Sequence, residues 1–394
     1  MPPGWGSDVG SIGPLVAADE FFSHQIVETH ASVLHADLSW TEKVCGMVCA
    51  RDGSLSVNFG FGKYVNRNVV DGYGGASRGV AQWTVRASRA LAADPDRIDV
   101  GPLRYEVIEP LRRVRVVLEA NAVQPLAYDL VLEGCLPCTV EEREDRRTLT
   151  GYRRSADQIR YHQLGVASGW VQLEGRRIEV TPESWLMTRD HSWGLRPAVG
   201  VPCTDLQPDP MDANPPRVLA AWSPVLFTPP PGAGGSPWAL MLYYLLYAGE
   251  GWRHEKSQGG FEHADGRREP VERIEPHLRF DRRNKRLVGG SFVLTMAGGG
   301  VRRFTLRVLG DTGFHLGAGL YHGFDGHYHG QWRGPLHVDG EHFADCSSPD
   351  SVARLNQFRD CLVELRDEAS GALGIGNCQT WVQGAWPALG LPEG

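Results

Sequence analysis

The stretch Arg113-Val114-Arg115-Val116-Val117-Leu118-Glu119-Ala120 changes character at every second residue. Val114, Val116, Leu118 and Ala120 fall on one side. Arg113, Arg115 and Glu119 fall on the other. Successive side chains of an extended chain point to opposite faces, so this pattern predicts a strand with one face buried and one face wet. The same reading extends outward in both directions. Upstream, Trp40, Val44 and Val48 share a face, then Leu55, Val57, Phe59 and Phe61, then the run Val80–Val85, then Leu103, Tyr105 and Val107. Downstream, Leu126, Tyr128, Leu130 and Leu132 form a further stripe. Repeated half-buried strands with turn residues between them predict an antiparallel sandwich or barrel.

The punctuation agrees. The 394 residues include 48 Gly and 26 Pro, which favours many short strands over long helices. The charged run Glu141-Glu142-Arg143-Glu144-Asp145-Arg146-Arg147 suggests a junction between two units. This gives an irregular segment 1–15, a first barrel domain 16–163 and a second barrel domain 164–390. Glu174-Gly175-Arg176 has the character of a hairpin turn between Gly169–Leu173 and Arg177–Val180. Later strands are expected at 218–222, 238–247, 291–296, 303–309, 331–338, 361–366 and 379–382. The one helix candidate is Ser351–Phe358, preceded by Pro349 and capped by Asp350.

Composition narrows the function classes. The formal net charge is −7, which argues against a nucleic-acid binder, since such a protein shows a basic face. The N-terminus lacks a basic region followed by an apolar core, so no secretory signal is predicted. The longest apolar run, Trp238–Ala248, spans about eleven residues, where a membrane helix needs about twenty. The eight Cys then read as reduced thiols of a cytoplasmic chain. Cys135-Leu136-Pro137-Cys138 has redox spacing without a βαβ context, and no second such pair completes a zinc site.

The densest chemistry lies in Trp185-Leu186-Met187-Thr188-Arg189-Asp190-His191-Ser192-Trp193-Gly194-Leu195-Arg196. In an extended chain Arg189, His191 and Trp193 point one way, and Asp190 and Ser192 the other. A histidine among aromatics can exchange a proton near neutral pH. The Trp193 face suits a developing cation, and Asp190 can orient its neighbours. The same residue types can equally seal one end of a barrel, with Arg stacked on Trp and Asp tying a turn. Glu42, between Trp40 and Val44, is a candidate inward carboxylate whose pKa would rise if it were buried among apolar residues. His315, His322, His327, His329, His337 and His342 make a His-rich region, but sequence fixes no convergent ligand geometry, so neither a metal nor a cofactor is predicted. A serine hydrolase is excluded. Neighbouring residues of one strand cannot align a triad, and no nucleophile elbow is present.

Arg189-Asp190-His191-Ser192-Trp193-Gly194 resembles the signature of the lipocalin-like superfamily that contains carotenoid 1,2-hydratases, AttH proteins and fungal lipocalin-like Diels–Alderases, and most of all its bacterial branch. The Gly165–Val180 hairpin, the Tyr128-Asp129-Leu130 strand and Gly330-Gln331-Trp332-Arg333-Gly334 are similar too. The resemblance implies a mainly β chain of two consecutive lipocalin-like (calycin) antiparallel barrels with few short helices. It also implies that His191 and Trp193 occupy the positions that protonate an alkene in the hydratases. Those enzymes pair a Tyr with an Asp two residues on in a following strand. The corresponding strand here holds Tyr243 and Tyr244 but no Asp. That departure favours an activated double bond, such as one conjugated to a carbonyl.

The expectation is therefore a cofactor-independent hydratase, dehydratase or isomerase. Its substrate would be an apolar unsaturated molecule (a terpenoid, steroid or aromatic compound) held in a barrel or between the barrels. His191, Asp190 and Arg189 would carry the chemistry. Trp193, Tyr244, Trp185, Trp40 and Glu42 would line the site. The alternative is a non-catalytic carrier or sensor of lipid-like ligands. A homodimer is left open.

Overall fold

The computed structural model describes residues 15–391, except 16, 23, 25–35, 92–97, 149–152, 208–213 and 230–233, and except the side chains of 311 and 312. Apart from Leu15, the segment 1–15 lies outside the described residues.

Thirteen strands come first: β1 (Trp40–Ala50), β2 (Ser56–Tyr64), β3 (Val69–Arg78), β4 (Ala81–Ala90), β5 (Asp99–Val100), β6 (Leu103–Glu109), β7 (Arg113–Leu118), β8 (Leu126–Gly134), β9 (Thr139–Val140), β10 (Glu144–Arg147), β11 (Arg154–Leu173), β12 (Arg176–Val180) and β13 (Trp185–Leu195). Nine follow: β14 (Arg217–Phe227), β15 (Trp238–Gly249), β16 (Trp252–His263), β17 (Arg268–Phe280), β18 (Leu287–Met296), β19 (Val301–His315), β20 (Leu336–Phe343), β21 (Phe358–Asp367) and β22 (Leu373–Gln383). Among the described residues one α-helix is present, α1 (Pro349–Arg354).

The fold is the two-barrel lipocalin-like one. Strands β14 to β19, β21 and β22 close into an eight-stranded antiparallel barrel. The other sheet runs β20-β4-β3-β2-β1-β13-β11-β8-β7-β6-β5, with β9, β10 and β12 also on β11. Alternation explains the walls. Val114, Val116 and Leu118 are buried in the first core with Leu103, Leu130 and Val171. On the wet face of the same strand, Arg115 grips Asp129 at 2.7 and 2.8 Å. Each buried Val or Leu contributes roughly 1.5–3 kcal/mol of transfer free energy. The second barrel is filled in the same way by Val225, Leu240, Ile274, Phe292 and Val363, among others. Both interiors are therefore occupied by their own side chains.

The division at 163/164 does not hold. β11 runs without a break through that position, and β13, with the Arg189–Gly194 motif, pairs with β1 and β11 in the first sheet. The charged run is a short strand laced to its neighbour rather than a linker. Arg154 meets Asp145 at 3.1 Å and Asp157 at 2.6 Å, and Arg143 meets Asp157 at 2.8 Å. Charge on an edge strand deters unwanted pairing, and it looks like a linker when read one residue at a time.

The expected hairpin turn is present at Glu174-Gly175, with φ of +52° and +79°, as a two-residue hairpin needs, and Arg176 already belongs to β12. Two other local expectations shift. The helix starts earlier, at Pro349, is capped by Ser348 and ends at Arg354. The strand expected at 331–338 begins at Leu336 and joins β4, back in the first sheet.

The two units meet across a mixed interface. Met47, Cys49, Leu186 and Leu362 form one apolar contact, and Leu136, Leu164, Leu226 and Ala239 another. Asp360 accepts hydrogen bonds from Asn58 at 2.8 Å and Asn377 at 2.6 Å, joining β2, β21 and β22. No disulfide joins any of the eight cysteines. No described helix is long and apolar enough to cross a membrane.

Candidate functional site: the cleft between the barrels

Strand β13 presents two unlike faces, as an extended strand does, and Gly194 lets it run close against β11. A Cβ at Gly194 would lie 2.1 Å from the Asp157 carbonyl oxygen, and its φ is +126°, a backbone state essentially reserved for glycine.

The inward face carries a buried polar chain. Arg189 forks onto Glu20 at 2.6 and 2.9 Å and also donates to Gln163 and to Tyr105. His191 meets the Tyr161 hydroxyl through Nδ1 at 3.0 Å and Glu42 through Nε2 at 3.1 Å. Glu42 in turn contacts His24 Nδ1 and accepts the His24 backbone N–H at 2.7 Å. His24 Nε2 lies 3.0 Å from Asp19, and the Trp193 ring stacks on His24 at 3.9 Å. Trp40 donates to the His24 carbonyl at 3.3 Å.

Burial opposes charge on His24, but Glu42 and Asp19 outweigh it and raise the imidazole pKa to about 9. Burial alone would raise the Glu42 pKa, as its sequence suggested, but the His24 and His191 rings lower it below the ordinary value. The ligand atoms of His24, Glu42 and His191 lie within 4.8 Å of one another, close enough to share a cation, and they are already engaged with each other.

The outward face meets open space. Asp190 borders a cleft of about 150 Å³ between the barrels. That is the scale of a cavity that holds a benzene-sized guest. From the first sheet come Glu144, Arg146, Arg160, Asp190 and Arg196. From the other side come Trp222, Tyr243, Tyr247, Phe358 and Trp381, with Tyr321, His322 and His329 at one end. Asp190 Oδ2 lies 3.4 Å from Arg160 Nε. Burial raises the Asp190 pKa against the opposing pull of Arg160 and Arg196. Arg146 donates to the Tyr247 hydroxyl at 3.0 Å. His322 takes a left-handed backbone, φ +59°, and stacks its ring on Trp381 at 4.5 Å. Strain of this kind in a non-glycine residue gathers at functional sites.

A second hollow of about 400 Å³ lies beside Phe21, Phe22, Ile98 and Tyr105, with Asp99, Arg104 and Glu106 also on its lining. Just beyond the cleft, His162 Nδ1 lies 3.1 Å from Glu141 and its Nε2 lies 2.9 Å from Glu262 of the second barrel.

Of the residues assigned to the site from sequence, Asp190 alone faces this cleft, and His322 and His329 of the His-rich region also line it. His191, Arg189, Trp193, Trp40 and Glu42 belong to the buried chain. Trp185, 3% exposed, is in the first core. Tyr244 points into the second core, and its neighbour Tyr243 lines the cleft, because one residue along a strand reverses the face. The His-rich region does not converge. His315 approaches the Asn356 carbonyl, His327 meets Gln331, His337 approaches Asp339 and His342 stacks on Trp83. Arg160, Trp222 and Trp381 were missed, since they lie on separate strands and no short motif links them. Arg196 stood at the end of the Trp185–Arg196 stretch but was given no role.

Comparison with known proteins places this architecture. An AttH-like protein from Nitrosomonas europaea superposes with a TM-score of 0.52 at 12% identity, covering 87% of this chain and 92% of that one. Kievitone hydratase from Nectria haematococca superposes with a TM-score of 0.44 at 8% identity, covering 96% and 95%. CghA with Sch210972 superposes with a TM-score of 0.47 at 12% identity, covering 93% and 98%. At these identities the likeness concerns the fold alone. No curated protein sequence matches the chain significantly. Residues 15–391 match the family described as "Family of unknown function (DUF8625)", and the chain is a member of that family.

Proposed function

We propose that the chain is an enzyme, a hydratase, dehydratase or isomerase, that acts by acid–base chemistry on an unsaturated, largely apolar small molecule held between the barrels. The observation that carries this reading is the placement of Asp190. Its carboxyl is one of two, with Glu144, on a wall that faces five aromatic side chains across a ligand-sized void. Apolar concave sites with a few converging polar groups are where small molecules bind.

Asp190 would give a proton to the α-carbon of a polarised double bond and regain one from the water that adds at the β-carbon, dehydration being the reverse; in an isomerisation it would move a proton between two carbons of the conjugated system. Arg160, at 3.4 Å, would fix the carboxyl and steady its charge after transfer. Arg196 would draw electron density toward a conjugated oxygen, which makes a carboxylic acid strong enough for the task. Trp222 and Trp381 would hold the flat body and keep bulk water away. His191 is a positioning residue in this scheme, holding the inward face of β13 so that Asp190 projects correctly.

The test is deuterium incorporation from D2O into a panel of α,β-unsaturated ketones and acids, followed by mass spectrometry. Incorporation by the wild type and its loss in Asp190→Asn, with ligand-induced thermal stabilisation retained, is the expected result. Equal incorporation by Asp190→Asn removes Asp190 from the chemistry. Stabilisation by ligands without any incorporation would make the cleft that of a carrier.

A further inference from the structure

Among the described residues, Arg196 is the cation of the cleft that no acid pairs. Its Nη2 donates to Ser192 Oγ at 2.6 Å, and its Nε is buried with no acceptor. Asp190, within its electrostatic reach, sits against Arg160 instead. Among the described residues no carboxylate forms an ion pair with Arg196.

A second buried cation stands behind the same end of the cleft. Lys43, 1% exposed, rests its ammonium on the Tyr321 ring at 3.9 Å and meets His329 Nε2 at 2.7 Å, and both of those residues line the cleft. Burial pulls the Lys43 pKa down to about 8. The lining holds three guanidinium groups, Arg146, Arg160 and Arg196, against two carboxylates, Glu144 and Asp190. In a chain of net charge −7, that reverses the overall sign. A buried donor without a partner costs about 1–3 kcal/mol, more when charged, so an arrangement that keeps one open is suited to an acceptor that arrives from outside.

We propose that the ligand of the cleft is a flat aromatic or polyunsaturated molecule bearing an anionic oxygen, a carboxylate or an acidic enol, that seats on Arg196. This rests on the reading of the cleft as the substrate site and adds the chemistry that reading leaves open. The aromatic walls take the flat body by stacking. The planar guanidinium fork takes two acceptor oxygens of the anion. An anion anchored there would hold the conjugated bond within the part of the cleft bounded by Asp190, Trp222 and Tyr243.

The experiment uses a matched pair of probes, 2-naphthoate and its neutral analogue 2-naphthamide, with binding read by quenching of tryptophan fluorescence and by calorimetry. The wild type should bind the naphthoate about tenfold or more tighter than the amide. Arg196→Met should abolish that preference. Arg196→Lys, which keeps the charge without the fork, should restore part of it. Equal binding of the two probes by the wild type, with binding lost in Trp222→Ala, would overturn the anion proposal and leave the cleft as the binding site. A preference that survives in Arg196→Met would also overturn it. Binding of neither probe, or binding indifferent to Trp222→Ala and Trp381→Ala, would overturn the cleft reading and this proposal with it.

Discussion

His162 on β11 lies 2.9 Å from Glu262 on β16, so a buried imidazole of the first sheet bridges directly to a carboxylate of the second barrel. Its other ring nitrogen meets Glu141 at 3.1 Å, and Glu141 also accepts a hydrogen bond from Trp222 at 2.9 Å. Burial disfavours the imidazolium, but Glu262 and Glu141 outweigh it and raise the pKa to about 9. A histidine with a raised folded pKa stabilises fully below its unfolded value of about 6.5, and that contribution fades as pH rises toward the folded value. Stability should therefore decline between about pH 6.5 and pH 9, by up to about 3 kcal/mol from this group. Urea titrations across that window should show the decline in the wild type and a flatter profile in His162→Gln.

Arg189 and Glu20 form a second buried ion pair, with side chains 2% and 0% exposed. Removing one partner leaves the other charged, buried and alone. Arg189→Met or Glu20→Gln should each cost about 3–5 kcal/mol. The double substitution Arg189→Met with Glu20→Gln should cost clearly less than the sum. Chemical denaturation of the three variants measures the coupling, and strict additivity would mean that the pair does not act as a unit.

Asp190→Asn and His191→Gln should separate chemistry from support. The first should reduce turnover of any identified substrate by about 10²–10⁴-fold with little change in stability. The second should lower stability by about 1–3 kcal/mol, since it disturbs the contacts to Tyr161 and Glu42, with turnover within a few-fold of wild type. Steady-state kinetics together with thermal unfolding of both variants checks the split.

Gly194→Ala should be badly tolerated although it adds only a methyl group. The new Cβ would press on the Asp157 carbonyl oxygen, a rigid backbone atom, in a backbone state that alanine avoids. A loss of about 2 kcal/mol or more is expected, readable as a lower urea midpoint. A neutral result would show that β13 can shift relative to β11.

Much of the fold was legible because alternation is a local property. Val114, Val116 and Leu118 announce a strand face without knowledge of any partner. The division of β13 into an Arg189–His191–Trp193 side and an Asp190–Ser192 side was equally readable. What alternation does not reveal is which side meets a core and which meets a neighbour. That is fixed by β1 and β11 flanking β13, a pairing across more than a hundred residues in the case of β1. The same limit exchanged Tyr244 for Tyr243. Asp19, Glu20 and His24 have no periodic signal, because they sit in an irregular segment and act through contacts with distant strands. Arg196 and Trp381 come together only when the two barrels dock.

The return of β20 to lie against β4 bears on how such a chain can be inherited. Its residues are encoded between β19 and β21, inside the stretch that builds the closed barrel, yet they finish the other sheet. A gene cut after β13 would yield a first half whose β4 edge is open to any passing strand. A gene joined to a foreign second half would carry the same defect unless the newcomer brought a matching strand of its own. The two halves are thereby bound to travel through evolution as one heritable unit, and the cleft between them can diversify side chain by side chain without the halves being shuffled.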